Sequence, residues 1–450
     1  MTNGGEGTIP PTVKTVGFLV PILMNILFMS NSMSEEKGIQ RRYGYSVVAT
    51  KVANYLQSIG HQVLFAGMQS IGTPYKDSKG ILQLGTRYDP FMGDICEDWL
   101  RVYKADCFLS MLDLWLPQTD YMPGMCQKLK IPWISHITLN SEPLSPYFQN
   151  KINASTYVVA PSKYNHRILC EGGAGGKSVY IPHGCDTKIF KPMPEVKDEI
   201  KKRLHIENKS FIAVVVNRNK GLQKRLQDAM RAWAMICNQD PKFKEEAVLL
   251  MLHDPLEPDG FRTDIYRDRL GMNNNIKFIW HKPSESWNDT VATFEGDPEG
   301  LRHNANIALP PEEVSRIINC CDLSIVPSQS ESFCLPALES MACGVPVVMG
   351  NHSVGPEHVG ANKAGLLVNI AYGEITPLLS EVMNMNLGDF ASAIYTMYKD
   401  SGFRKECGRN GLAYAKTMDW DNVLPLWKQL FERVEEQRMG CNYQHGRMGL

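Results

Sequence analysis

Short apolar runs alternate with stretches of helical period along nearly the whole chain. In the first half these runs fall at 26–29, 62–66, 107–111, 133–135, 157–160 and 178–181. A second series starts at 211–216 and continues through 248–252, 276–279, 323–326, 345–349 and 365–368. Uninterrupted apolar strands separated by amphipathic helices are what a parallel sheet covered on both faces requires. Two series of similar size predict two doubly wound α/β domains. Residues 185–208, rich in charge and proline, read as the linker between them. Residues 281–310, polar with Gly and Asn, read as a surface insertion, and 420–437 as a final amphipathic helix. The predicted organisation is a leader at 1–23, domains at 24–184 and 209–418, and a C-terminal helix and tail at 419–450.

Composition narrows the function classes. A chain of 450 residues exceeds one ordinary core. Its 21% charged residues and formal net charge of −1 argue against bulk nucleic-acid binding, while leaving room for local peripheral membrane contact. Residues 16–29 are apolar behind Lys14 and imitate a signal peptide. Pro21 and Asn25 interrupt them and no small-residue cleavage site follows, so 1–23 read as a disordered leader and 25–30 as the first strand. No other stretch has the length to span a bilayer. The 12 cysteines form no C-x-x-C pair and sit in apolar runs, the pattern of reduced thiols in a cytoplasmic protein.

Residues 328–348 carry the most chemistry. They leave a strand over Pro327-Ser328, start a helix near Pro336 and leave it at Gly344 for another apolar run. Glu331 lies in the loop and Glu339 in the first helical turns. A helix N-terminus outside the carboxyl end of a parallel strand offers unpaired N–H groups to an anion. Two carboxylates there need other targets, such as sugar hydroxyls, which donate well to an ionised acceptor. Phosphate together with sugar hydroxyls describes a nucleotide-sugar.

The string Pro327-Ser328, Glu331, Phe333, Pro336, Glu339, Met341-Ala342, Gly344, Pro346-Val347 resembles the E-x7-E signature of retaining glycosyltransferases of GT-B fold, especially family 4. The resemblance implies two Rossmann-like domains facing a central cleft, with the final helix packing back on the first. It implies that Glu339 holds the ribose diol and that Glu331 faces the donor sugar or the forming oxocarbenium. The amides of Phe333, Cys334 and Leu335 would face the phosphates. The bland alternative for Glu339 is a carboxylate serving the helix dipole. The family usually has Gly where Ser332 and Cys334 stand, which puts the amide geometry here in question.

A second string, Val214-Val-Val-Asn-Arg-Asn-Lys-Gly-Leu-Gln-Lys-Arg-Leu, resembles the family's strand followed by a cation pair that clamps the donor diphosphate. By match the pair is Arg218 and Lys224, with Lys220 and Arg225 as substitutes if the register slips. Fixed cations stabilise the charge that a departing diphosphate gains, without a metal. Basic residues at a helix N-terminus oppose its dipole, which disfavours a purely structural role.

In the first half, the loop Gly38-Ile-Gln-Arg-Arg-Tyr-Gly44 resembles the family's glycine-containing loop after the first strand. There Gly44 and Arg41 or Arg42 would approach a diphosphate or the acceptor; an ordinary loop leading into a helix is the equal alternative. His136, after a strand, matches a family histidine that contacts the donor sugar, although a lone histidine is more often structural. Residues 181–186, Ile-Pro-His-Gly-Cys-Asp, read as a hinge and turn.

Two patterns mislead. Gly172–Ser178 imitates a phosphate loop but lacks its first glycine and follows a helical segment, so a helix C-cap is expected. Asp419-Trp-Asp421 imitates a metal-binding D-x-D but opens the last helix, where capping suffices. No catalytic metal and no cofactor are expected. The predicted activity is transfer of a hexose-type sugar from a nucleoside-diphosphate-sugar donor to a carbohydrate-type acceptor. A non-hydrolysing nucleotide-sugar epimerase of the same fold and a non-catalytic nucleotide-sugar-binding protein are the alternatives. A dehydrogenase is disfavoured, since no G-x-G-x-x-G follows a strand.

Overall fold

The computed structural model describes residues 23–31, 33, 44–71, 73–257, 260–280, 292–293 and 309–446. The predicted leader apart from Leu23, the insertion 281–310 apart from 292–293 and 309–310, and Gly38, Arg41 and Arg42 lie outside these residues.

The first sheet contains β1 (Asn25–Ser30), β2 (Gln62–Ile71), β3 (Tyr75–Lys76), β4 (Leu82–Thr86), β5 (Cys107–Met111), β6 (Trp133–His136), β7 (Tyr157–Ala160) and β8 (Ser178–Tyr180), in the order β3-β4-β2-β1-β5-β6-β7-β8. The second contains β9 (Phe211–Val216), β10 (Ala247–Leu252), β11 (Ile276–Trp280), β12 (Ala292–Thr293), β13 (Leu323–Val326), β14 (Val347–Gly350) and β15 (Gly365–Val368), in the order β12-β11-β10-β9-β13-β14-β15. All neighbours in both sheets pair in parallel except the edge pairs β3–β4 and β11–β12.

Alternation along the central strands explains why both read as continuous apolar runs. In β1, Leu27 and Met29 enter one core while Ile26 and Phe28 enter the core on the other face. In β9, Phe211, Ala213 and Val215 face one layer while Ile212 and Val214 face the other. Each strand is therefore buried on both sides by helices, as a doubly wound sheet requires.

Residues 185–208, read as linker, are partly core of the second domain. A helix at Lys197–Arg203 buries Ile200, and Leu204 and Ile206 follow it inward. Of the charges that made the stretch look like linker, Lys191, Glu195, Asp198 and Glu199 are exposed, and Lys197 pairs with Asp322 (3.0 Å). The sequence reading also missed β3, β4 and a hairpin of β16 (Ile370–Ile375) and β17 (Glu381–Met385).

The last helix, Trp420–Gly446, places Trp420, Val423, Trp427, Leu430, Phe431 and Val434 in the same core as β1 and the helix Gly44–Ser58. Their spacing of three and four residues makes one apolar stripe. The chain thus crosses between domains twice, side by side. Cys185 N–H donates to the Met418 carbonyl (2.8 Å), Trp420 N–H donates to the Cys185 carbonyl (3.2 Å), and Thr187 N–H donates to Asp419 (3.2 Å). Gly184 is required there: a Cβ would lie 2.5 Å from the Trp420 ring.

Candidate active site

Both sheets start at a central strand from which the chain winds first one way and then the other. In the first sheet this switch falls between β1 and β5, and in the second between β9 and β13. Ligands of open α/β sheets bind outside the carboxyl ends of strands at such points. A cleft of about 560 Å³ lies there, lined by Asp113 after β5, Arg218 and Lys224 after β9, Glu257 after β10, and Glu331 to Glu339 after β13.

Nearly all the sequence-predicted residues meet in it. Arg218, Lys224, Glu331, Phe333, Cys334, Leu335, Glu339 and Gly44 all line the cleft. Lys224 Nζ lies 2.7 Å from Glu331 Oε1, with the side chains 19% and 13% exposed. Arg218 lies 2.6 Å from Glu257 Oε1, whose side chain is 7% exposed. Each cation is therefore held by a carboxylate and oriented toward the same space. Of the two substitutes, Lys220 lines the cleft, whereas Arg225 pairs with Asp228 (2.7 Å) on the following helix.

The helix Leu335–Ala342 begins at the cleft, where its first N–H groups lack intrahelical acceptors. Glu339, one turn in, is 8% exposed. Cys334 has φ +68, the left-handed region, which a glycine would adopt without the Cβ strain that Cys334 carries. The other departure has a different consequence. Ser332 Oγ donates to Asn140 Oδ1 (2.6 Å), so this serine ties the second domain to the first. Gly44 opens the helix Gly44–Ser58, but a Cβ there would meet nothing within 4 Å, so available space does not demand a glycine.

His136 is the exception. It is fully buried and does not line the cleft; His183 stands between, with its Nε2 3.0 Å from His136 Nε2. His136 also stacks on Trp427 of the crossing helix, and His183 packs against Phe333. A contact of His136 with a sugar is thereby corrected: the strand points it into the core, and His183 takes the cleft position. Burial pushes His136 down to about 3 and holds His183 well below the ordinary range, so both are neutral near pH 7.

Sequence reasoning missed several lining residues. His183 lay inside the segment read as hinge. Asp113, just beyond the predicted strand 107–111, could have been found by the strand-end rule. Its Oδ1 accepts from Tyr45 Oη (2.9 Å), and the same hydroxyl bonds Thr138. Glu257 carried no signal, because nothing in the loop after β10 marks it as Arg218's partner. The two misleading patterns resolve as expected. The segment at Cys170–Ala174 ends a helix with Gly173 at φ +89, and Asp419 accepts from Asp421 N–H (2.7 Å) at the start of the last helix. No described helix is long and apolar enough to cross a membrane. The eleven cysteines with described side chains are all free, and Cys170 is the exposed one among them.

In fold the protein is of the GT-B class, and its Glu331–Glu339 string resembles glycosyltransferase family 4. Residues 300–411 match the family described as Glycosyl transferases group 1. A D-inositol 3-phosphate glycosyltransferase of Acidothermus cellulolyticus is 34% identical over 249 residues, 54% of this chain and 45% of that protein. An uncharacterized glycosyltransferase of Methanocaldococcus jannaschii is 28% identical over 125 residues, 28% of this chain and 32% of that one. The chain spans about half the length of the D-inositol 3-phosphate glycosyltransferases it matches over its longer alignments. Among solved structures, sucrose-phosphate synthase from Thermosynechococcus elongatus superposes with a TM-score of 0.70 at 15% identity, covering 92% of this chain and 100% of that one. Anabaena HepE in complex with UDP and glucose superposes with a TM-score of 0.64 at 16% identity, covering 92% and 100%.

Proposed function

We propose that the protein is a retaining glycosyltransferase that moves a hexose-type sugar from a nucleoside-diphosphate-sugar to an acceptor hydroxyl without a metal ion. The observation that carries this reading is the convergence of Arg218, Lys224, Glu331, Glu339 and the N-terminus of the helix Leu335–Ala342 on one cleft. The name of the inositol-phosphate relatives and the UDP and glucose bound in HepE support it at the level of class.

In this reading the acceptor oxygen bonds to the sugar anomeric carbon as that carbon's bond to the diphosphate oxygen breaks on the same face. The bonding electrons leave with the diphosphate, and the acceptor proton passes to a phosphate oxygen. Arg218 forks onto two phosphate oxygens and Lys224 supplies a point charge. Both cations are already held in place by Glu257 and Glu331, so little reorganisation accompanies the step. Glu339 accepts from the ribose hydroxyls, and Glu331 faces the sugar ring. Closure of the two domains excludes water and limits hydrolysis. We place the protein in the cytoplasm.

Calorimetric titration against a panel of nucleotide-sugars tests the donor, and the anomeric configuration of the product by NMR tests retention. Tight binding of NAD with none of any sugar nucleotide would sink the reading. Asp113 and His183 in the cleft favour, as a second reading, a nucleotide-sugar epimerase, which needs extra acid–base groups. An epimeric sugar nucleotide formed without any acceptor would select it.

A further inference from the structure

Beside the cleft lies a second cavity of about 220 Å³, and Asn140 lines both. Its walls come from four places: the loops after β13 and β14, the first-domain segment around Asn140 and Glu142, Tyr164 on the helix Lys163–Leu169, and the hairpin of β16 and β17. Glu331 N–H donates to Ser353 Oγ (3.2 Å), so one wall is bonded to the backbone of the carboxylate assigned to the donor sugar. The hairpin is docked on the first domain. Glu381 N–H donates to the Glu142 carbonyl (2.8 Å), and the Ser141 and Ser380 hydroxyls lie 2.6 Å apart.

Two lining side chains each carry an unpaired polar atom, although the other ring nitrogen of His352, Nδ1, lies 3.2 Å from Ser353 Oγ. Ser330 is 2% exposed and His352 is 9% exposed, yet Ser330 Oγ and His352 Nε2 have no hydrogen-bond partner among the described residues. Orphaned buried polar atoms cost free energy and are uncommon in native proteins. Two of them around one cavity mark a place built to receive hydrogen bonds from elsewhere.

The charge of the walls limits what that partner is. Glu142 and Glu381 are the charged residues lining the cavity, with no lysine or arginine among the described residues that line it. Arg167, outside the lining, pairs with Glu142 at 2.6 Å. His352 is pushed down to about 4 by burial and is neutral near pH 7. Such walls repel phosphate and welcome hydroxyl donors. At about 220 Å³ the cavity has less than half the volume of the cleft beside it, which suits a small ligand such as a single ring.

We infer that this cavity is the subsite for the acceptor, and that it takes a neutral, hydroxyl-rich single ring, a free sugar or polyol without a phosphate. The inference rests on the glycosyltransferase reading and adds the acceptor class, with the hairpin Ile370–Met385 as the element that selects it.

The test uses the full chain with UDP present. Saturation-transfer NMR follows glucose, galactose, mannose, N-acetylglucosamine and myo-inositol at millimolar concentration, beside glucose 6-phosphate and inositol phosphate. Calorimetry of UDP in parallel reports on the donor side. At least one neutral ring is expected to bind more tightly than its phosphate ester. Asn351→Trp, which fills the cavity from an exposed position, should abolish that signal, and Ser330→Ala should weaken it about tenfold. UDP binding should hold within about twofold in both variants. Absence of binding by every neutral ring overturns the inference, as does binding that survives Asn351→Trp or favours the phosphate esters. If neither UDP nor any other nucleoside diphosphate binds the parent protein, the donor reading falls and the acceptor subsite falls with it.

Discussion

Replacing Lys224 by Met separates what the Lys224–Glu331 pair does for stability from what Lys224 does for chemistry. At 2.7 Å the two charges attract by about 6 kcal/mol at an effective dielectric of 20, before desolvation is subtracted. Both side chains keep some water contact, so the net loss on truncation lies between surface and buried pairs, at about 2 kcal/mol. Most of that is the penalty of leaving Glu331 charged and alone. Lys224→Met with Glu331→Gln removes the orphaned charge and should recover about 1 kcal/mol of the loss. Transfer should behave differently. A fixed cation at a developing phosphate charge is worth about 10²–10³ in kcat, and neither variant restores it. Urea unfolding of the parent, both single variants and the double variant gives the stability cycle. Release of nucleoside diphosphate in the presence of acceptor gives kcat. If activity returned together with stability in the double variant, Lys224 would be a structural residue and the clamp assignment would fail.

Further outcomes follow from the same geometry. Cys334→Gly should be more stable than Cys334→Ala by about 1 kcal/mol, because φ +68 penalises any Cβ; differential scanning calorimetry reads the order, and the reverse order would refute the strain. Trp427→Ala, removing a ring 1% exposed in the core shared with the first domain, should cost about 3–5 kcal/mol and lower the melting temperature. Burial pushes His136 and His253 down to about 3 and His352 down to about 4, so the unfolded chain takes up protons that the folded one refuses. Their contribution is full above about pH 6.5 and is lost as pH falls toward 4, by up to about 2 kcal/mol per histidine between pH 6.5 and 5. Urea midpoints at pH 7 and pH 5 check this, and equal midpoints would contradict it. Arg218→Lys should weaken donor use even though charge is kept, since one ammonium cannot replace the fork; a wild-type KM for donor would argue against bidentate contact.

The central strands were legible because burial on both faces turns each into an unbroken apolar run. Cys107–Met111, Tyr157–Ala160, Phe211–Val216 and Leu323–Val326 fall where the pattern puts them. The edge strands Tyr75–Lys76 and Ala292–Thr293 are two residues each, too short to show a period. The hairpin Ile370–Ile375 and Glu381–Met385 is largely solvent-facing, so no apolar run announced it. In the site, residues carried by one continuous segment were found, since local order fixes loop, helix start and carboxylates together. Asp113, His183 and Glu257 reach the cleft only through strand order, which a linear reading does not contain. His136 shows the converse: its position at a strand end was right, but the direction of its side chain depends on the pleat and on Trp427 arriving from the far end of the chain.

The paired crossings at Cys185 and Met418 restrict how the molecule moves. One covalent connection would allow the domains to swing and twist freely. Two, cross-bonded and packed against Gly184 and Trp420, resist twisting while still permitting a bend. Opening is then a motion about one axis, and its extent is set on the other side by whether Ser332 holds Asn140 and Glu381 holds Glu142. Distance measurements between spin labels on the two domains should therefore change along a single coordinate when nucleotide is added. A broad, uncorrelated spread of distances would show that the two crossings do not act as a hinge pin.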